Sequence, residues 1–468
     1  MSIRYVSTRG GGAPVGFEEA LLAGLAPDGG LFVPEAWPRL EREQLDELQG
    51  RPYQDVALAV LRPFVEDALD APTFRRLIDD SYQGFRHRAV APLRQLDAGT
   101  WLMELFHGPT LAFKDVAMQL LARLFEHVLA RSGQEITIVG ATSGDTGAAA
   151  IQAFAGRAGV RVVILHPEGR ISEVQRRQMT TVTAPNVMNI AVRGTFDDCQ
   201  ALLKAMFADR GFRERIGLAA INSINWARVM AQVVYYVTSA LALGAPWRRV
   251  AFAVPTGNFG DVYAGYVAAR MGLPLGGLLV ATNVNDILAR FFATGRYAVG
   301  EVHPTQSPSM DIQVASNFER LLFELCGRDG GEVRSLMTAF RETGALEVDA
   351  ERLGVAREVF DAARVDEAAT AATIRRVLEE TGILIDPHTA VAVAAAALQP
   401  ARRGVPMVVL ATAHPAKFGA AVAAATGMAP GLPPALAGLL ERAERLTLLP
   451  NDLPLVQRAI LQFCDEAA

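Results

Sequence analysis

The chain has 468 residues, 51% hydrophobic and 20% charged, a composition that suits a globular protein of about two or three domains. Its net charge of −5, with no Lys/Arg block, excludes long-range attraction to nucleic acid or to an anionic membrane. An anionic ligand must therefore be held by local groups.

The first 94 residues hold short mixed segments punctuated by PDGG, VPEAWP and DAPTF, with helical patterns at 41–48 and 53–68. They read as a small N-terminal domain, followed by α/β domains at 95–225 and 226–468. In FHGPTLAFKDVAMQLLARLFEHV (106–128) the helical face that starts at Lys114 continues through Met118, Leu121, Phe125 and Val128. Asp115, Gln119, Arg123 and Glu126 lie on a face expected to be solvated. A lysine at the head of an apolar stripe is either a buried amine, nucleophilic because burial disfavours its charge, or one that snorkels to water.

EITIVG (135–140) reads as a strand, TGAAAIQAFAGRAG (146–159) as a helix and RVVILHP (161–167) as the next strand, making a βαβ unit. A second unit follows in VAFAVP (250–255), the loop TGNFG, DVYAGYVAARMG (261–272) and LGGLLVAT (275–282). Continuous apolar strands joined through helices imply parallel sheets covered on both faces. Residues 283–380 are more polar and helical, the pattern of a lid or peripheral insertion. MVVLAT (407–412) is a further strand, ending in AHPAKFG. The Ala-rich tracts at 390–398 and 419–440 are too short or too broken by Gly and Pro to span a membrane. MSIRYVSTRGGG lacks the apolar region of a signal peptide. The three cysteines, Cys199, Cys326 and Cys464, are far apart, which argues against a zinc site or a disulfide framework. A cytoplasmic protein without a metal is expected.

In open α/β sheets, ligands bind beyond the carboxyl ends of the strands. Three loops are expected there: GATSGDTG (140–147), TGNFG (256–260) and TAHPAKF (412–418). The first two open helices, whose N-termini favour anions. In TGNFGD, Gly257 and Gly260 let the backbone approach a phosphate, Asn258 can donate a hydrogen bond and Thr256 adds a hydroxyl. Thr142, Ser143 and Thr146 similarly surround a site fit for a carboxylate. Ordinary turns with Asn258, Asp145 or Thr146 as helix caps explain the same residues. The chain has no P-loop, no G-x-G-x-x-G, no G-x-S-x-G and no HExxH. Of its seven histidines only His107 and His414 are placed near these loops. A buried lysine, a phosphate cup and a carboxylate cup on one sheet edge are what an enzyme needs to hold pyridoxal phosphate and present an amino acid to it.

FHGPTLAFKD, TSGDTG and PTGNFGD, in this order and spacing, resemble the threonine synthase family of fold-type II pyridoxal-phosphate enzymes. YVSTRG (5–10), NSINWAR (222–228), SPSMDIQVASNFER (307–320), DPHTAV (386–391) and ATAHPAKF (411–418) extend the resemblance along the chain. The resemblance implies two open parallel-sheet α/β domains plus a small N-terminal domain. It implies Lys114 as the catalytic Schiff-base lysine and Thr256, Gly257, Asn258, Phe259 and Gly260 around the cofactor phosphate. Thr412 is the implied hydroxyl partner of the pyridine nitrogen, and Thr142, Ser143, Gly144, Asp145 and Thr146 are the implied substrate-carboxylate loop. The implied reaction converts O-phospho-L-homoserine and water to L-threonine and phosphate. A second phosphate site is then required, with Ser7, Thr8 and Arg9 or Ser223, Asn225 and Arg228 as candidate donors. Many fold-type II enzymes have SGN where this chain has Ser143-Gly144-Asp145. A carboxylate there would repel the cofactor's phenolate unless protonated or turned away, and helix capping is the expected role of Asp145. A serine or threonine dehydratase and a catalytically silent homologue are the rival readings. A monomer or homodimer is expected.

Overall fold

The apolar runs become the strands of two separate parallel sheets. The computed structural model describes residues 2–219, 223–399 and 404–466. The chain divides into two units, each made from two stretches: Met1–Gly108 with Ser223–Pro430, and Pro109–Asn222 with Gly431–Ala468. The three contiguous segments expected from composition differ from this interleaved division. Its seams are set by strand pairing, which composition does not report.

In the first unit, six strands lie in the order Phe360–Arg364, Leu275–Thr282, Val250–Pro255, Met407–Ala411, Thr100–Glu104 and Leu93–Gln95. All pairings are parallel except the outermost, between Leu93–Gln95 and Thr100–Glu104. Val250–Pro255 is buried along its whole length, as a strand covered on both faces must be. The alanine-rich run forms the helix Pro387–Leu398, with Ala390, Ala392 and Ala395 wholly buried in the core of this unit. Small side chains there let helix and sheet approach closely. The segment 283–380 is more than a peripheral insertion, because its short run FDAAR supplies the edge strand Phe360–Arg364. Five residues of mixed polarity carry too little pattern to mark a strand.

The N-terminal stretch adds an antiparallel pair, Tyr5–Ser7 with Phe32–Pro34, and the helices Phe17–Ala23, Arg42–Glu47, Tyr53–Val65 and Ala71–Tyr82. Asp70 caps the last of these, accepting a hydrogen bond from Thr73 N at 2.7 Å. Tyr5 is fully buried and its hydroxyl donates to Phe64 O at 2.5 Å, tying strand to helix.

The second unit holds five parallel strands in the order Thr447–Pro450, Val187–Arg193, Val160–Pro167, Ile136–Ala141 and Leu218–Ala219. The C-terminal stretch returns here, as Thr447–Pro450 pairs with Ile190–Arg193. Helix Asp145–Phe154 ends well before the expected 159, at Ala155, whose extended backbone stops it. Among the described residues no helix is long and apolar enough to cross a membrane.

Candidate active site

Lys114 is the first residue of the helix Lys114–Ser132. Its side chain is 11% exposed, and Nζ lies 3.3 Å from Asp145 Oδ2. The ammonium at a helix N-terminus meets an unfavourable dipole, which a nearby carboxylate offsets. The amine therefore faces an acid rather than open water. Asp115 and Gln119, expected on a solvated face, are both buried. Asp115 accepts hydrogen bonds from Thr110 N at 2.8 Å and Thr110 Oγ1 at 2.7 Å, closing the turn that precedes the lysine. Leu111 in that turn has a φ of 63°, a conformation that a leucine adopts only under constraint.

Loop 140–147 follows strand Ile136–Ala141 and opens the helix Asp145–Phe154. The N-cap is Gly144, not Asp145 or Thr146, and the hydroxyl that meets this helix start is that of Thr142. Thr142 Oγ1 accepts from Gly144 N at 3.0 Å and Gly147 N at 2.9 Å. The Asp145 carboxylate is turned elsewhere: Oδ2 faces Lys114 and Oδ1 accepts from Gln175 Nε2 at 2.8 Å. Ser172 Oγ donates to Gln175 Oε1 at 2.9 Å and fixes that amide's orientation. Gly144, at φ 136°, is required here, since a Cβ would sit 2.5 Å from the Gln175 side chain. Ser143 is exposed and Thr146 half-buried.

In the other unit, loop 256–260 follows strand Val250–Pro255 and opens the helix Gly260–Arg270, which no side chain caps. Its N-terminus is thus left with backbone donors, the donor set a phosphate takes. Thr256 is buried and its hydroxyl donates to Val254 O at 2.7 Å. Asn258 O accepts from Asn317 N at 3.0 Å and Nδ2 at 3.1 Å, while Asn258 Oδ1 accepts from Ser316 Oγ at 3.2 Å. Phe259 is the N-cap, in the left-handed region at φ 65°. Its ring is locked among Phe292, Phe318 and Phe360, with centroids at 6.4, 5.9 and 5.6 Å. That packing holds a strained backbone in place. Lys114 and loop 140–147 thus belong to one unit and loop 256–260 and Thr412 to the other; loop 140–147 follows a strand of the five-stranded sheet and the other two follow strands of the six-stranded one, where a single sheet edge was expected.

Thr412 is buried directly after strand Met407–Ala411. His107 Nε2 is 2.8 Å from Glu104 Oε2. His414 Nδ1 accepts from Ala416 N at 3.2 Å. Burial, followed by the charges of Arg86 and His107, pushes His414 down to about 4, so its imidazole is neutral near pH 7.

The candidate donors for a second phosphate separate sharply. Ser7 is bound to Asp28 at 2.7 Å, Thr8 to Glu319 at 2.6 Å, and Arg9 to Glu319 at 3.0 and 2.8 Å. Asn225 has both ends engaged, donating to Leu21 O and accepting from Ala227 N. Ser223 O accepts from Asn317 Nδ2 at 3.1 Å. Arg228, in helix Trp226–Ala242, is different. It is 4% exposed, its Nε and Nη1 have no hydrogen-bond partner among the described residues, and burial lowers it to about 10. It is a buried cation still charged near pH 7, with donors to spare.

Sequence reasoning did not single out Gln175, His388 or Asn317. Each acts through a contact more than 25 residues distant in the chain: Asn317 and His388 lie in the motifs SPSMDIQVASNFER and DPHTAV, which do not show those partners, and Gln175 lies in none.

Comparison with known proteins agrees along the whole chain. Residues 4–82 match the family model described as threonine synthase N terminus, 86–412 that of pyridoxal-phosphate dependent enzymes, and 389–460 that of threonine synthase, C-terminal. A threonine synthase from Pseudomonas aeruginosa is 54% identical over 461 residues, covering 98% of both chains. The crystal structure of a PLP-bound threonine synthase from Brucella melitensis superposes with a TM-score of 0.97 at 53% identity, over 99% of this chain and 100% of that one. Threonine synthase from yeast gives 0.94 at 40% identity, over 99% of each. With its pyridoxal-phosphate-dependent domain flanked by both terminal segments, the chain belongs to the threonine synthase family.

Proposed function

We propose that the chain converts O-phospho-L-homoserine and water to L-threonine and inorganic phosphate, the last step of threonine biosynthesis. Lys114 is the residue that bonds covalently to pyridoxal phosphate, residues 256–260 hold the cofactor's phosphate, and Thr412 meets its pyridine nitrogen. When bound, the cofactor supplies an electron sink for carbanions formed at the substrate's Cα and Cβ.

The residues of the chain do the rest. Lys114 Nζ, once free, removes the Cα proton and then a Cβ proton, and one flexible amine serves as base and acid in turn. Asp145, its orientation fixed by Gln175, balances the charge on Nζ whenever the amine carries the proton. Thr142, Ser143, Gly144, Asp145 and Thr146 form the loop for the substrate carboxylate, with Ser143 the exposed hydroxyl. Arg228 takes the substrate phosphate before and after it leaves Cγ, with Ser223 and Asn225 beside it in sequence.

Arg228 carries the distinction from a dehydratase. A buried arginine with two nitrogens unpartnered among the described residues calls for an anion, and a dehydratase substrate has no phosphate to offer. The intact lysine and both loops disfavour a silent homologue. The partner is a small molecule, not nucleic acid or membrane, and the enzyme works in the cytoplasm as a monomer or homodimer. Its three cysteines are buried and free, which suits a reducing compartment. Purified protein given O-phosphohomoserine should release phosphate and form threonine. Turnover of threonine or serine to a keto acid, with no phosphate released from O-phosphohomoserine, would replace this reading with the dehydratase.

A further inference from the structure

Two sequence motifs lie outside the lysine, its loops and Arg228: SPSMDIQVASNFER at 307–320 and DPHTAV at 386–391. The first unit joins them. Pro308–Met310 is a single tight turn whose backbone lies against Gly257 of the loop 256–260. A Cβ at Gly257 would stand 2.7 Å from Ser309 O and 3.3 Å from Met310 Cα. Further on, Asn317 grips Asn258 O twice. The cup is thus braced at both Gly257 and Asn258.

The brace is itself pinned. Asp311 Oδ1 accepts from Asn283 Nδ2 at 2.8 Å, Asn285 Nδ2 at 3.0 Å and Thr305 Oγ1 at 2.6 Å, and Oδ2 from Thr305 N at 2.9 Å. On its other side stands His388, 4% exposed, near the start of helix Pro387–Leu398. Ser309 N donates to His388 Nε2 at 3.3 Å, and His388 Nδ1 is 2.6 Å from Asp386 Oδ2. An N–H can donate only to the ring nitrogen without a proton, so Nδ1 carries the hydrogen and gives it to Asp386. Asp386 also accepts from His388 N and Thr389 N and cannot swing away without uncapping the helix. Phe418 packs on the ring at 4.6 Å. The imidazole is held in one orientation and one tautomer, with its free lone pair on Ser309.

We propose that His388 is a positioning residue for the cofactor-phosphate cup, holding Ser309 against Gly257 so that the backbone at 257–260 keeps the shape a phosphate requires. The inference rests on the reading of residues 256–260 as that cup. Its signature is selective. A merely structural histidine supports the whole protein, whereas a prop for the cup affects only ligands that carry the phosphate.

The test uses full-length protein stripped of cofactor and titrated with pyridoxal phosphate and, separately, with phosphate-free pyridoxal. Binding is read from absorbance and from the borohydride-fixed adduct on Lys114. His388→Ala should weaken pyridoxal phosphate about tenfold, the size of one lost hydrogen bond, and leave pyridoxal within about twofold. His388→Gln, whose amide oxygen accepts the Ser309 N–H, should recover part of the loss. Equal losses for both compounds, no loss at all, or no recovery in His388→Gln would overturn the proposal. Should His388→Ala not fold, His388→Asn, too short to reach Ser309, is judged by the same criterion. Wild-type protein that binds pyridoxal as tightly as pyridoxal phosphate would instead remove the cup itself, a separate failure.

Discussion

Lys114 Nζ stands 3.3 Å from Asp145 Oδ2, although the two residues are 31 positions apart and start different helices. The pairing assigns Asp145 to the amine rather than to the helix end. Lys114→Ala should leave the protein colourless with pyridoxal phosphate and cut phosphate release by about 10³-fold or more. Asp145→Asn should keep the colour. In cofactor-free protein it should raise the acetylation rate of Lys114 about threefold to tenfold near pH 7, because the ammonium loses its carboxylate. Peptide mapping after labelling reads both variants.

Arg228 predicts opposed effects on stability and function. Arg228→Met removes a buried cation whose Nε and Nη1 lack partners among the described residues, and the melting temperature should hold or rise by about 1–3 °C. The same change should raise KM for O-phosphohomoserine about 100-fold or more, through loss of a charge-assisted pair. In a thermal melt, added inorganic phosphate should stabilise the wild type and not the variant. A clear fall in melting temperature for Arg228→Met would point to a structural arginine.

Gly257 has no room for a methyl group. A Cβ would lie 2.7 Å from Ser309 O and 3.0 Å from Ile312 Cδ1. Gly257→Ala should therefore displace the loop, cost about 1–3 kcal/mol of stability and weaken pyridoxal phosphate binding at least about tenfold. Chemical denaturation and a cofactor titration check the two parts separately.

Acid should destabilise the protein through His414. Its folded pKa of about 4 lies below the ordinary value of 6.5, so at intermediate pH the unfolded chain binds a proton that the folded one refuses. Stability is fully present above about pH 6.5, is lost as pH falls towards 4, and loses nothing more from this residue below that. Burial lowers His166 in the same direction. Urea melts at pH 7, 5.5 and 4.5 should show the decline, and His414→Asn should flatten it. An unchanged slope in the variant would exclude His414 as a source.

Much of the candidate site is legible in the chain because its pieces are local. The lysine at the head of its stripe, the glycines of TGNFGD and the strand at 250–255 each follow from residues within one or two turns. Asp145 was legible as a residue but not as a role. Its partners, Lys114 and Gln175, are about 30 positions away on either side, and Thr142 had already satisfied the helix end. The edge strand Phe360–Arg364 is not legible locally because FDAAR is short and of mixed polarity. It is a strand only because Leu278–Thr282 offers it a free edge.

The order of chemistry-bearing groups along the chain belongs to the sequence: which lysine, which glycine-rich cup and which arginine exist, and in what helical or extended setting. Short-range periodicity and backbone sterics suffice for that. The tertiary structure alone decided which acid faces Lys114, why Ser7, Thr8 and Arg9 are spent on Asp28 and Glu319 while Arg228 is not, and that the stretch after 430 rejoins the second unit. Those outcomes depend on contacts between residues 21 to 311 positions apart, where burial forces each charge to find a partner or to wait for a ligand.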